Sequence, residues 1–233
     1  MKENICTIPI NDIFMPKDGC PICRMYSMLE ERYVEYITGA AMMEPSVRIE
    51  TNKKGFCHKH FQQMVQNGNR LSNALILESH LQEILDLRMP SQKKNKPDKK
   101  LLSSLDELFN TCYVCDRIEH DMHHFFATIF VQFQKDEEFK NLYKEQPYIC
   151  LEHYSMLMKA ASKGISSKNM AEFYKVTTSL TENYLQSLKN DITHFCSMFD
   201  YRNNGGDWGN SKDAIERSVL FLTSQKVEEK KKD

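Results

Sequence analysis

GFCHKHF, residues 55–61, and YICLEHY, residues 148–154, decide the fold. Each places a Cys three residues before a His: Cys57 with His60, and Cys150 with His153. An aromatic residue follows each His. Upstream of each stands a C-x2-C pair, Cys20 and Cys23 in CPIC, then Cys112 and Cys115 in CYVC. Cys20 to Cys112 and Cys23 to Cys115 both span 92 residues, while Cys57 to Cys150 and His60 to His153 both span 93. A period kept this closely at four ligand-type positions identifies a duplicated module of about 90 residues, too few copies for a solenoid.

The physical sense of the pattern is metal ligation. A C-x2-C turn brings two thiolates to one ion, and a C-x2-H turn at a helix start brings a thiolate and an imidazole. Together they make the four-ligand tetrahedron of a closed structural zinc site. The spacing pairs neighbours in sequence, giving Cys20/Cys23/Cys57/His60 and Cys112/Cys115/Cys150/His153, and so two zinc ions per chain. An iron–sulfur cluster is the alternative cofactor, because three Cys and one His also ligate such clusters. No βαβ setting supports a thioredoxin-like redox pair, and Arg24 and Asp116 follow the C-x2-C pairs where haem attachment needs His. His58 is set aside in favour of His60, because its counterpart in the second half is Leu151.

The chain holds 233 residues, 41% hydrophobic and 27% charged, with a formal net charge of −1. That is ordinary for a globular protein able to bury a core. It argues against a protein that coats nucleic acid, which needs a basic surface. No apolar run approaches the ~20 residues of a membrane span, and the N-terminus does not read as a secretory signal. The expected location is the cytoplasm, where eight cysteines stay reduced and available to metal. Residues 1–89 form the first half. PSQKKNKPDKK, residues 90–100, has five lysines and no apolar side chain and reads as a solvated linker. Residues 101–225 form the second half, and 226–233 a charged tail.

Apolar spacing is helical almost throughout, which predicts an all-α fold. The stripes include Ile22, Met25, Leu29 and Ile37; Leu71, Ala74, Leu75, Leu81, Ile84 and Leu85; Ile118, Met122, Ile129 and Phe133; and Phe173, Val176, Leu180 and Leu188. EPSVRIETNKKG, residues 44–55, reads as a loop between Pro45 and Gly55, with an extended piece at 47–50. Each half leaves an amphipathic face to cover, which predicts two related halves packed about a rough two-fold axis.

Other constellations are weaker. Glu119, His120 and His123 share a helix stripe with the E-x2-H spacing of carboxylate metal bundles. That stripe lies opposite the apolar face and reads first as a polar outer surface, second as a further metal site. Arg202 and Trp208, in a Gly-rich loop, read as a C-terminal clasp, with Arg202 on backbone carbonyls and Ser211 capping the last helix. The alternative there is a corner for a small anionic ligand. Cys196 reads as core beside Phe195 and Phe199, Cys6 has no repeat partner, and Arg48 is available to an acidic partner.

The CPIC, EPSVR, GFCHKHF, CYVC and ICLEHY blocks, with the closing FDYRNNGGDWGNSKDAIERSV of residues 199–219, resemble an uncharacterised bacterial family, a domain of unknown function. The resemblance spans nearly the whole chain. It implies a two-half, cysteine-rich cytosolic protein and carries no activity with it.

Three classes of function follow: a zinc-stabilised binding or regulatory module for an unknown protein partner or small ligand, a redox- or metal-responsive sensor, and an enzyme built on the Glu119/His120/His123 stripe or the Arg202/Trp208 corner. Full ligand sets without an obvious nucleophile–base pair rank them in that order.

Overall fold

The computed structural model describes residues 8–89, 96–203 and 205–227. Within them the chain is helix and loop, with no strand. Cys6, residues 90–95 of the charged segment and most of the tail lie outside the described residues. Two compact units emerge. One joins residues 1–25 to 123–233, and the other is the intervening 26–122. The boundaries fall inside two helices, α2 (Pro21–Thr38) and α7 (Tyr113–Lys135).

The outer unit is built from α1 (Ile8–Phe14), the first turn of α2, the second half of α7, α8 (Glu137–Lys144), α9 (Leu151–Gly164), α10 (Ser167–Ser197) and α11 (Ala214–Thr223). Its centre is aromatic. Phe14 meets Phe139 edge-on at 5.2 Å, and Phe133 stands perpendicular to Phe173 at 5.0 Å. Such edge contacts add to the area each ring buries. Gly164 is required by this packing, since a Cβ there would lie 2.5 Å from the Phe130 ring. Polar ties cross the core: Gln132 Nε2 donates to Asn11 Oδ1 at 3.0 Å, and Gln146 Nε2 donates to Phe14 O at 2.9 Å. The Trp208 clasp is present, with the indole packed on Phe195 and Phe199 at 5.5 and 5.8 Å.

The inner unit comprises the rest of α2, a 3₁₀ turn at Ala40–Met43, α3 (Pro45–Lys54), α4 (His58–Gln66), α5 (Arg70–Leu87), α6 (Lys99–Phe109) and the start of α7. Here the structure corrects the loop expected at 44–55. Pro45 stands in the first turn of a helix, where a missing N–H costs nothing, and Gly55 ends it with φ of 62°. The two breakers bound a helix, and no extended piece exists at 47–50. Arg48 donates to Leu75 O at 2.5 Å rather than meeting an acid. The supposed linker is helical from Lys99 onward. The stripe expected on α5 is also corrected. Ser72, Asn73, Ile76 and His80 are its buried residues, while Leu71, Leu81 and Leu85 are exposed.

Three further expectations change. Cys196 is exposed, not core. Arg202 pairs with Asp200, Nη2 to Oδ2 at 2.5 Å, rather than with carbonyls. Asp213, not Ser211, stands at the N-cap of α11, and buried Ser211 donates instead to Trp208 O at 2.6 Å.

Candidate metal centres

All four motif pairs sit at helix starts. Cys57 and Cys150 occupy the N-cap positions of α4 and α9, with extended backbone at φ −70° and −67°. Cys20 and Cys112 immediately precede α2 and α7, which puts Cys23 and Cys115 in the first turns. A helix N-terminus carries partial positive charge and unpaired N–H groups, so thiolates are favoured there.

The pairing is crossed relative to the spacing expectation. Cys20 and Cys23 gather with Cys150 and His153, while Cys57 and His60 gather with Cys112 and Cys115. Each group lies within one compact unit. Two hydrogen bonds, one between backbones and one from a side-chain hydroxyl to a backbone carbonyl, set the inner pairing. Tyr113 N–H donates to Gly55 O at 3.0 Å, and Thr111 Oγ1 donates to Lys54 O at 2.8 Å. The residues before Cys57 are thereby fastened to those around Cys112. Gly55 is needed at this junction, because its φ is left-handed and a Cβ would press His80 and Leu108 at 3.1–3.2 Å.

In the outer group His153 turns Nδ1 toward the sulfurs, 3.0 Å from Cys150, 3.4 Å from Cys23 and 3.7 Å from Cys20. The Cys23 and Cys150 sulfurs are 3.7 Å apart. In the inner group His60 Nδ1 lies 3.2 Å from both Cys57 and Cys112 and 3.4 Å from Cys115. The Cys57 and Cys115 sulfurs are 3.9 Å apart. Zinc–sulfur bonds of about 2.3 Å in a tetrahedron put sulfurs about 3.8 Å apart. The donor set and its spacing fit such an ion.

Metal-free electrostatics agree with ligand character. Hydrogen bonding from Cys115 and from His60 overcomes burial and holds the Cys112 thiol down to about 3. Cys115 is pushed up in turn, since the pair shares one proton. Burial opposes charge on His60, but hydrogen bonds to Cys112 and Glu30 prevail and raise it to about 9. In the outer group, hydrogen bonds from Cys20 and Cys23 lower Cys150, while Cys23 is raised. Burial opposes charge on His153, yet its bonds to Cys150 and Cys20 lift it to about 9 as well.

The groups differ in exposure. Cys20, Cys150 and His153 are buried and Cys23 half-buried, whereas Cys115 is exposed and Cys57 half-buried. Two neighbours escaped the sequence reading. Glu30 Oε1 on α2 stands 3.5 Å from His60 Nε2, and the same carboxylate takes Lys59 Nζ and, at 3.3 Å, Gln63 Nε2. Ser224 Oγ, at the left-handed end of α11, lies 3.0 Å from Cys150 Sγ. Neither has a motif of its own.

His58 is exposed while His60 is buried in the group, as the repeat indicated. His80 and His194 hydrogen-bond backbone carbonyls on other segments, Asn52 O at 2.9 Å and Asp207 O at 3.0 Å. Glu119, His120 and His123 are all exposed. Arg202, Asn203, His194 and Asp207 line an open surface pocket near half-buried Trp208. No described helix is long and apolar enough to cross a membrane.

A family model, described as a family of unknown function, DUF6062, matches residues 1–229. No curated protein and no solved structure matches the chain.

Proposed function

The chain belongs to DUF6062, a family of unknown function, and we propose from its two Cys3His groups that it is a zinc-stabilised helical module with a binding or regulatory role in the cytoplasm. The observation that carries this is the convergence of three thiols and one imidazole, all within 4.8 Å, twice in one chain. Cys20, Cys23, Cys150 and His153 hold one ion, and Cys57, His60, Cys112 and Cys115 the other. Zinc supplies a closed, redox-silent cross-link whose ligation energy is folding energy. Glu30 Oε1, 3.5 Å from His60 Nε2, stands where an outer carboxylate commonly orients a ligating histidine, with Nδ1 on the sulfur side. Elemental analysis of protein purified without oxygen tests the reading. Two zinc per chain and no visible absorption are expected. One metal or none overturns it, and a brown chromophore near ~400 nm assigns iron–sulfur instead.

A second reading, metal release on oxidation, is favoured by one observation, the exposure of Cys115 beside half-buried Cys57. A peroxide would take two electrons from these sulfurs, form one S–S bond and leave as two waters after gaining two protons. Zinc loss from the inner group alone, reversed by dithiothreitol, is the expected signature. Equal loss from both groups refutes it.

A further inference from the structure

Ser224 ends α11 in the left-handed region, at φ 57° and ψ 13°. Among the described residues, Lys17 is the one other non-glycine residue with a positive φ. Just past the last helical residue glycine is the usual choice, since a Cβ crowds the left-handed backbone. The turn itself does not need a serine. The Ser224 N–H closes the helix on Leu220 O at 2.8 Å, a bond that glycine makes equally well. A side chain kept on a backbone that disfavours it points to a role beyond the turn.

That role lies at the end of the side chain. Ser224 Oγ stands 3.0 Å from Cys150 Sγ. A thiolate offers lone pairs and no proton, so with Cys150 ionised the hydroxyl is the donor. Packing fixes where the hydroxyl sits. Phe221, three residues earlier, is fully buried, its ring 5.8 Å from Tyr148 and 5.5 Å from Tyr184. Tyr148 stands two residues before Cys150. Nearer the start of α11, Arg217 Nη1 reaches Asp191 Oδ2 on α10 at 3.0 Å. The last helix is thus held against both α10 and the segment that carries Cys150. We propose that Ser224 is a positioning residue of the outer metal group, its hydroxyl donating to the Cys150 thiolate so that α11 closes that group. The proposal rests on the reading of Cys20, Cys23, Cys150 and His153 as metal ligands. A hydrogen bond to a coordinated sulfur stabilises its ionised form and tunes the bound metal, and loss of such outer partners typically weakens a metal site about 10- to 100-fold.

Cobalt(II), which takes zinc's place among thiolates and absorbs through its sulfur ligands, tests this in the full-length chain. Ser224→Ala removes the hydroxyl and keeps the Cβ on the left-handed backbone. Ser224→Gly removes the hydroxyl and relieves the backbone. Both are expected to surrender the metal at Cys20, Cys23 and Cys150 to a competing chelator about 10- to 100-fold more readily. Mapping the cysteines that a maleimide then modifies reads this site by site, with Cys57, Cys112 and Cys115 protected as in the wild type. Both variants are also expected to move the sulfur-to-cobalt charge-transfer band to longer wavelength, because a sulfur without its hydrogen bond gives up an electron more easily. A role confined to the helix end predicts instead a glycine variant at least as tight as the wild type, with the band unmoved, and that result overturns the proposal. A wild type that binds cobalt at the outer cysteines, with both variants indistinguishable from it, overturns the proposal and leaves the metal reading standing. A wild type whose outer cysteines take up no metal refutes both.

Discussion

Replacing Cys150 with Ser separates the crossed pairing from pairing by sequence neighbourhood. Cys150 is fully buried, and its sulfur stands 3.0 Å from His153 Nδ1 and 3.7 Å from Cys23 Sγ. Serine leaves a shorter, harder and weakly acidic donor, so three ligands remain for a four-ligand ion. At free zinc a thousandfold above Kd, a site contributes about 4 kcal/mol to folding. The outer unit has roughly 140 residues, for which each kcal/mol shifts Tm by about 4 °C. Loss of the site should therefore lower its melting by about 15 °C. The inner unit should keep its transition, because none of its ligands is touched. Zinc-protected alkylation reads the pairing directly. Native protein is treated with a maleimide and the modified cysteines are mapped by mass. Crossed pairing predicts that C150S frees Cys20 and Cys23 while Cys57, Cys112 and Cys115 stay protected, with one zinc retained. If Cys112 and Cys115 react while Cys20 and Cys23 stay protected, the crossed arrangement is refuted.

Three other outcomes are expected. Glu30→Gln keeps the shape but removes the charge 3.5 Å from His60 Nε2, so the inner site should weaken about 10- to 100-fold with the outer site unchanged; chelator competition that finds both sites weakened, or neither, contradicts this. His120→Ala and His123→Ala alter exposed side chains and should keep two metals and change stability by less than about 0.5 kcal/mol; a lost metal in either would show that the stripe is a ligand site. In chelator-treated protein, His60, raised from 6.5 to about 9, contributes fully below 6.5 and loses that contribution up to about 9. Cys112, lowered from 9.0 to about 3, gains from about 3 up to 9, so stability rises between about 3 and 6.5 and the two cancel between 6.5 and 9. Raised Cys115 makes stability fall above 9, where the unfolded thiol ionises and the folded one does not. Thermal melts against pH should show a rise up to about 6.5, a plateau and then a decline, and a continued rise above 9 would disprove the assignment.

The candidate ligand residues are legible because the two sets of motifs match in residue type as well as spacing, which singles out His60 over His58. Their partnership is not. Any C-x2-C joined to any C-x2-H gives the same Cys3His chemistry, so spacing scores the crossed and the neighbouring sets alike. Hydrogen bonds between distant segments decide it, Tyr113 N–H to Gly55 O and Thr111 Oγ1 to Lys54 O, and these leave no periodic trace. Helix α3 reads as loop in the sequence because Pro45 and Gly55 look alike as breakers whether they interrupt a helix or bound one. Only Val47 and Thr51 are buried on it, too few to show a stripe. On α5 the periodicity was real but belonged to the outward face. The inward face is Ser72, Asn73, Ile76 and His80, whose polar members are hidden from a hydrophobic count. Asn73 illustrates why they tolerate burial: its Nδ2 donates to Met64 O at 2.8 Å.

The crossed pairing makes the two sites nested along the chain. The outer site joins residues 20–23 to 150–153 and thereby encloses the whole inner unit between its ligands. The inner site joins 57–60 to 112–115, a span less than half as long. Loop-closure entropy grows only as the logarithm of length, so the longer closure costs less than about 1 kcal/mol more. Once the inner site has formed, the enclosed chain is no longer a random coil, and that small difference shrinks further. A chain with two matching sets of motifs can therefore exchange its ligand pairs without a large entropic penalty. The choice between neighbouring and nested sets falls to local packing: Phe56 and Tyr113 beside the inner ligands, with centroids 6.5 Å apart, and Tyr148 stacked on Tyr184 at 3.9 Å beside the outer ones. The same pattern accounts for the unequal exposure of the two sites. The outer group takes Ser224 from the last helix against Cys150. The inner group is held from the other side by a carboxylate, Glu30, and leaves Cys115 open. The same set of three Cys and one His thus stands once closed off and once within reach of solutes, and a regulatory role for a metal, on the proposed function, falls to the second.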